Sequence, residues 1–179
     1  FQVAGRDARL AQASDLGFTV GPRINAAGRL ADMTLGIECL STDDFERALT
    51  LAQTLDQINR ERRTIEANMQ WDALAQLEDT PPTDRRTLTL FDESWHQGVV
   101  GLVASRVKEK YHRPTIAFAK ADGGWLRGSG RSIEGVHLRD VLDRVTKAAP
   151  SLIEKFGGHA MAAGLTLAQA HLSTFEQAF

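Results

Sequence analysis

Two adjacent glycines followed by a histidine, Gly157-Gly158-His159, form a segment whose residue types suit anion binding. Glycines let the backbone turn sharply and bring its N–H groups close to a ligand. A histidine at such a turn can donate a hydrogen bond to a phosphate. A helix predicted to end near Phe156 supports a second interpretation, in which the glycines cap that helix and His159 is a surface residue. The segment therefore predicts either an anion site or a helix end.

Arginines and hydroxyls alternate with glycines in the segment 126–132, Leu-Arg-Gly-Ser-Gly-Arg-Ser. On an extended strand, Arg127, Ser129 and Arg131 project to one face. The planar guanidinium group suits a phosphate, and a serine such as Ser129 or Ser132 adds a donor. The segment therefore predicts either a phosphate-binding strand or a solvated edge strand.

Trp95 and His96 stand just before a helix predicted over 98–111. The N-terminus of a helix presents unpaired N–H groups and the positive end of the helix dipole, which favour an anion. Trp95 could stack on a nucleobase, a contact worth about 1–3 kcal/mol, or be a buried structural residue.

All three segments lie in the basic half of the chain. Residues 83–179 carry 13 Lys and Arg against 10 Asp and Glu, whereas residues 1–82 carry 8 against 13. A basic half is where an anionic partner is expected. Together the segments predict binding to a nucleic-acid backbone that does not depend on the base sequence.

Complete catalytic sets are missing from the sequence. It contains neither a phosphate-binding Walker loop nor a Gly-x-Ser-x-Gly elbow, its five histidines are scattered, and Cys39 is its only cysteine. Disulfide frameworks and cysteine-based zinc sites are therefore excluded, and no metal ligands are predicted. No apolar run approaches the roughly 20 residues of a membrane span, and no signal segment opens the chain. We therefore expect a cytoplasmic protein without a membrane partner, and its ends suggest a piece of a longer protein.

The elements that must position these residues fall into three zones. Residues 1–40 are rich in Gly and Ala, with a break at Gly21-Pro22 flanked by segments that could be strand or helix. Residues 43–78 predict one long helix, capped by Asp43 with Glu46, with apolar residues in steps of three and four. After Pro81-Pro82, predicted strands alternate with helices, which indicates an α/β layer domain. The strands are predicted over 87–91, 114–119, 125–129 and 162–167, and the helices over 98–111, 137–148 and 168–179.

Five motifs occur along the chain in an order that resembles the RecJ-type single-strand-specific exonucleases of the DHH phosphoesterase superfamily. The motifs are Gly-Pro-Arg-Ile-Asn-Ala-Ala-Gly-Arg at 21–29, Leu-Asp-Gln-Ile-Asn-Arg-Glu-Arg-Arg at 55–63, the stretch 95–106 that opens Trp-His-Gln-Gly, Gly-Ser-Gly-Arg-Ser at 128–132, and Phe-Gly-Gly-His at 156–159 followed by Ala-Ala-Gly at 162–164. The resemblance covers essentially the whole chain.

The resemblance implies a function and a division of the chain. Enzymes of this type degrade single-stranded DNA from the 5′ end in recombination and repair, by two-metal hydrolysis with Mn²⁺ or Mg²⁺. Their metals are bound in part by an Asp-His-His signature, which this sequence lacks. The implied domains are the end of the DHH catalytic lobe (1–40), a long connecting helix (41–79) and a DHH-associated α/β lobe (80–179) with a mixed sheet flanked by helices. The implied partners are single-stranded DNA and a repair helicase or single-strand-binding protein.

Site residues carry over motif by motif. The resemblance implies that His159, with Gly157 and Gly158, faces the metals and contacts the substrate phosphate. It implies that Arg131 and Ser132 hold a phosphate nearby. The remaining matched residues are Trp95 and His96, at the entry to a helix, and Asn25 and Arg29, at the edge of the first lobe.

Two other functions remain open at this point. A related DHH phosphodiesterase would act on short oligonucleotides or cyclic dinucleotides, and a non-catalytic module would only bind nucleic acid. The chain by itself is expected to be inactive as a nuclease, because the metal-binding motifs are not in it.

Overall fold

The structure is a computed structural model that describes residues 1–79 and 83–179. The described chain divides into two compact units, residues 1–65 and residues 66–179. The predicted boundary at Pro81-Pro82 lies outside the described residues.

The first unit is helical. A π-helical turn over Leu16–Val20 passes directly into the helix that follows, and Pro22 stands in the first turn of that helix. Proline is tolerated there because its missing N–H would have no partner within the helix. The break expected at Gly21-Pro22 is therefore a change of helix type, and the flanking segments are helix rather than strand. The helices are α1 (Ala13–Asp15), α2 (Gly21–Leu30), α3 (Thr34–Ser41) and the first part of α4 (Phe45–Asp79).

The long helix predicted over 43–78 is confirmed as α4, but its predicted cap is wrong by one residue. The carboxylate of Asp44, not Asp43, accepts the N–H of Arg47 at 3.1 Å. The hydroxyl of Thr42 in turn accepts the N–H of Asp44 at 3.2 Å. This turn before the helix moves the cap one residue along the chain.

A buried ion pair joins α2 to α4 within the first unit. The side chain of Asp56 is only 7% exposed, and it lies 2.8 Å from the guanidinium of Arg23 and also pairs with Arg60. Burial alone would raise the pKa of the Asp56 carboxyl, but hydrogen bonds from Arg60 and Arg23 outweigh burial and lower it. Arg23 and Asp56 belong to the first two of the five motifs, so these motifs meet in the fold.

The second unit contains a five-stranded mixed sheet in the order β1-β2-β3-β5-β4. The β1–β2 pair is parallel and the other pairs are antiparallel. The predicted α/β fold with a mixed sheet and flanking helices is therefore confirmed. The strands are β1 (Leu88–Asp92), β2 (Thr115–Lys120), β3 (Trp125–Arg131), β4 (Lys155–Gly158) and β5 (Ala162–Ala168). The other helices of this unit are α5 (Val100–Tyr111), α6 (Leu138–Ala148) and α7 (Leu172–Ala178).

The two faces of this sheet differ. One face carries Phe118 and Leu126 into the main core, together with residues of α6 and α7 such as Leu142 and Phe175. The other face is packed against α5 over β2 and β3. The alternation of side chains along each strand assigns them to these two faces.

One predicted element is wrong. No helix ends near Phe156, because α6 ends at Ala148 and β4 begins at Lys155. Leu152 and Ile153 are buried in the turn between them, and the N–H of Glu154 donates to the carbonyl of Thr166 at 2.9 Å. Core packing and pairing with β5 thus override the helical tendency, and the helix-cap interpretation of Gly157-Gly158 is excluded.

Candidate nucleic-acid interface

Strand β3 places Arg127, Ser129 and Arg131 on one face of the sheet, as predicted. Burial alternates along the strand, so that Leu126, Gly128 and Gly130 are buried and the residues between them are not. This alternation is the ordinary geometry of a strand with one face in the core.

The guanidinium of Arg131 is held close to the sheet. Its Nη1 donates to the hydroxyl of Ser129 at 3.2 Å and to the carbonyl of Gly130 at 2.8 Å. Gly101, in the first turn of α5, lies over both side chains. A Cβ atom at Gly101 would stand 2.8 Å from the Ser129 hydroxyl and 3.0 Å from Nη2 of Arg131. The glycine therefore lets α5 approach this pair closely.

Pairing across three strands brings the Gly-Gly-His segment next to β3. Ser129 is opposite Gly164 of β5, and Gly164 is opposite Gly157 of β4. Two residue pairs along, Arg131 is opposite Ala162, whose carbonyl accepts the N–H of His159 at 2.9 Å. Since neighbouring strands lie about 4.8 Å apart, the backbones of the two predicted segments are roughly 10 Å apart.

Gly157 and Gly164 are exposed, and nothing within the described chain requires them to be glycine. Neither has a positive φ. A Cβ atom at Gly157 would meet nothing within 4 Å, and one at Gly164 would meet only a carbonyl oxygen at 3.9 Å. Their open surface suits close approach of another molecule to the backbone.

The neighbouring glycines have packing roles instead. A Cβ atom at Gly128 would stand 2.5 Å from the ring of Phe118, and one at Gly130 would stand 2.7 Å from Leu138. Gly158 has φ 145° and would place a Cβ atom 2.4 Å from the Ala162 carbonyl. Packing and backbone conformation therefore explain these three glycines, but they do not explain Gly157 and Gly164.

Two cations flank the open glycines. Arg127 of β3 and Lys155 of β4 both stand opposite Thr166 of β5, two residues along each strand from the level of Gly157 and Gly164. With the two glycines they line a hollow of about 470 Å³. Neither cationic side chain has an ion pair or a hydrogen bond with the described part of the chain. We call this patch of Arg127, Lys155, Thr166, Gly157 and Gly164 the glycine-floored surface.

Two of the predicted contacts lie in the interior. Ser132 is 1% exposed, and its hydroxyl donates to the carbonyl of Val136 at 2.7 Å. Trp95 is 3% exposed, so its ring offers no open stacking surface, and its indole N–H has no partner among the described residues. These positions favour structural roles, and we leave both residues out of the proposed contacts.

The other predicted residues are at or near the surface. His96 is exposed, and its Nδ1 accepts the N–H of Gly98 at 3.0 Å just before α5. Asn25 and Arg29 are four residues apart on α2 in the first unit, where Asn25 is exposed and Arg29 is half-buried. Four residues make about one helical turn, so the two side chains share a face of α2.

Lys155, Gly164 and Thr166 were not predicted as site residues. The sequence predicts a helix that ends near Phe156, and this prediction places Lys155 on a helix rather than on a strand. The alternation of Gly164 and Thr166 with buried Leu165 and Leu167 is the signal that could have placed them on the open face.

The described residues provide no metal site and no membrane span. Over 1–79 and 83–179, no group of three or more His, Cys, Asp or Glu side chains is placed to hold a metal ion. None of the helices described is at once long enough and apolar enough to cross a bilayer.

Comparison with known proteins identifies the family. The model of the DHHA1 domain matches residues 84–179, more than half of the chain. This chain belongs to the DHHA1 domain family. The glycine-floored surface, β3 and His159 all lie within the matched DHHA1 segment.

The relatives of this DHHA1 chain are RecJ exonucleases. It is 54% identical to the single-stranded-DNA-specific exonuclease RecJ of Dickeya dadantii over an alignment of 181 positions, which covers 99% of the chain and 31% of that protein. The resemblance drawn from the five motifs is thus confirmed. The chain spans about a third of the length of this relative.

Solved RecJ structures share the fold. RecJ of Thermus thermophilus in complex with Mg²⁺ matches with a TM-score of 0.82 and 29% identity, covering 99% of this chain and 26% of that one. Exonuclease RecJ bound to manganese matches with a TM-score of 0.82 and 30% identity, covering 99% of this chain and 43% of that one. These structures support a divalent-metal cofactor, but the described residues of this chain offer no ligand cluster that would fit one.

Proposed function

We propose that this chain binds the phosphate backbone of single-stranded DNA and positions it within a RecJ-like exonuclease. The observation that supports this most directly is the glycine-floored surface. Its two glycines are required neither by backbone conformation nor by packing, and they lie beside Arg127 and Lys155. A flat backbone floor between cations suits a phosphodiester chain, whose charge is sequence-independent.

In this proposal, two sets of side chains contact the phosphates. Arg127 and Lys155 supply charge, and Arg can hold two phosphate oxygens through its planar group. The second set is Arg131 with His159. Arg131 donates a hydrogen bond to Ser129, and the N–H of His159 donates to Ala162, the residue opposite Arg131. His159 is exposed and can donate to a phosphate there.

The intact enzyme that we propose degrades single-stranded DNA from the 5′ end, in recombination and repair. Its metal ions are proposed to be held by residues outside this chain. This chain's own part is to bind the strand and hold it in place. The names of the relatives favour this activity over cleavage of cyclic dinucleotides, and comparing a dinucleotide with a long strand as substrates would separate the two.

Binding of a fluorescent single-stranded oligonucleotide to the chain tests the proposal. We expect Arg127→Ala with Lys155→Ala to weaken binding at least tenfold and to lower the slope of log affinity against log salt by about 1.4, since each phosphate contact on a single strand contributes roughly 0.7. Arg139→Ala with Arg144→Ala is the matched control, because both arginines lie on α6, which packs on the opposite face of the sheet. Equal losses in the two double variants would show that only net charge matters and would contradict the proposed surface.

A further inference from the structure

A second hollow of about 420 Å³ adjoins the glycine-floored surface. The two hollows share Arg127, Lys155 and Thr166. The second one is completed by residues of a different chemical character: Gln97, Ala121, Asp122, Trp125 and Glu154.

The loop before β3 holds Trp125 at the wall of this hollow. Gly123 and Gly124 have φ of 70° and 78°, a left-handed conformation that favours glycine. The N–H of Ala121 donates to the carbonyl of Trp125 at 2.7 Å and closes the loop. The indole lies against Gly123, with Cδ1 3.5 Å from the position of a Cβ atom there. Trp125 is thus placed by the fold.

Trp125 remains 37% exposed although it is the largest apolar side chain of β3. It lies on the same face of the strand as Arg127, two residues along. An aromatic ring held at the surface beside cations is the usual arrangement for binding unpaired nucleobases, because every base has a flat face that can stack.

The two hollows also differ in the polar groups that line them. No carboxylate lines the hollow over Gly157 and Gly164, whereas Asp122 and Glu154 line the second. Carboxylates repel phosphate but accept hydrogen bonds from the amino groups of bases. Gln97 adds an amide, fixed by a 3.0 Å bond from its Nε2 to the carbonyl of Lys120. The first hollow therefore suits phosphate and the second suits a base.

We propose that the second hollow is a nucleobase subsite in which Trp125 stacks on a base of the bound strand. Arg127 and Lys155, at the shared wall, would contact the phosphate that joins this nucleotide to the next. This inference rests on the proposed function, because it assumes that the adjoining surface binds a strand of nucleic acid.

The test compares a single-stranded oligonucleotide with a strand of equal length made of abasic residues. We expect Trp125→Ala to weaken binding of the normal strand about tenfold, Trp125→Phe to restore most of the loss, and neither to change binding of the abasic strand. Trp71→Ala is the matched control, since Trp71 is 71% exposed on α4 in the same unit, and we expect it to bind both strands as the unaltered chain does.

A fluorescence measurement gives an independent readout. In a Trp71→Phe background, stacking should quench the indole emission when the normal strand is added, and adding Trp125→Phe should abolish the quenching. An equal loss on both strands in Trp125→Ala, or no loss on either, would overturn the subsite. If the subsite is overturned in this way, the proposed function still stands provided that the Arg127→Ala/Lys155→Ala double variant binds the abasic strand more weakly than the unaltered chain does. The proposed function itself fails if the unaltered chain binds neither strand.

Discussion

The guanidinium of Arg131 donates a 3.2 Å hydrogen bond to the hydroxyl of Ser129, on the face of β3 that α5 covers. The bond fixes a long, flexible cation against the sheet, so less conformational entropy remains to be lost when it meets an anion. The closeness of Gly101 to both side chains makes this arrangement sensitive to a single methyl group.

Substituting Gly101 with Ala is expected to be destabilising only while Ser129 keeps its hydroxyl. The new Cβ atom would stand 2.8 Å from that hydroxyl, a clash that costs about 1–3 kcal/mol against a gain of about 1 kcal/mol in helix propensity. In a Ser129→Ala background the clash is largely removed. Urea unfolding of the two single variants and the double variant should therefore give a coupling energy of about 1 kcal/mol or more. Additive effects would contradict the described packing.

The open glycines and the packed ones are expected to respond in opposite ways. Gly157→Ala and Gly164→Ala should leave the melting temperature nearly unchanged, because their Cβ atoms have free space, and should weaken binding of single-stranded DNA severalfold. Gly128→Ala should lower stability by about 1–3 kcal/mol, because its Cβ atom would meet Phe118.

Gly17→Ala is the control for the open glycines, since Gly17 also has open space and an ordinary φ but lies in the first unit. Unchanged binding in all three variants with open space would argue against the glycine-floored surface.

Arg131→Ala and His159→Ala are expected to reduce activity far more than stability. In the proposed function both side chains contact the bound DNA strand, so each change removes one such contact. His159 is also an exposed side chain. The measurement is exonuclease turnover in a chimera, in which this chain replaces the matching stretch of the Dickeya dadantii relative. We expect losses of tenfold or more with unchanged melting temperatures. Unchanged turnover with a lowered melting temperature would show that the two residues serve only the fold.

The purified chain by itself is expected to show no nuclease activity with Mg²⁺ or Mn²⁺, although we propose that it binds single-stranded DNA. The reason is that its described residues contain no cluster able to hold a metal ion. Incubation of labelled oligonucleotide with the chain and with the chimera gives the comparison. Metal-dependent degradation by the chain itself, at a rate that follows the chain through purification, would refute this expectation.

Asp56 should contribute stability that depends on pH. Its pKa in the folded chain lies below the unfolded value of about 3.9, so its contribution is present above that value and is lost as pH falls through the folded pKa. Asp56→Asn should cost about 2 kcal/mol at pH 7, and the difference from the unaltered chain should shrink below about pH 4. Urea unfolding at a series of pH values measures this difference. A difference that is constant with pH would contradict it.

The sequence predicted the fold best where a residue pattern has only one structural solution. The alternation from Arg127 to Arg131 and the stripe that includes Leu51, Leu55 and Met69 predicted β3 and α4, and the structure confirms both. Strand β4 was missed, because four residues with two glycines carry almost no periodicity and only pairing with β5 makes them a strand.

The binding surface was predicted in part, for a related reason. The partners of Gly157 are chosen by strand order, and no local pattern places Gly164 and Thr166 beside it or Lys155 opposite Thr166. Ser132 shows the converse limit. The motif suggested a phosphate contact, but one residue beyond β3 the alternation turns the side chain inward, to the carbonyl of Val136.

Strand β4 has one further consequence, which concerns self-association. It is an outer strand of the sheet, and outer strands with free N–H and C=O groups can pair with other copies. β4 has only four residues, begins with a lysine and ends at Gly158 with φ 145°. A short strand that begins with a charged residue is a poor template for pairing. The strand that contains Gly157 of the proposed binding surface is therefore also poorly suited to edge-to-edge pairing with another copy.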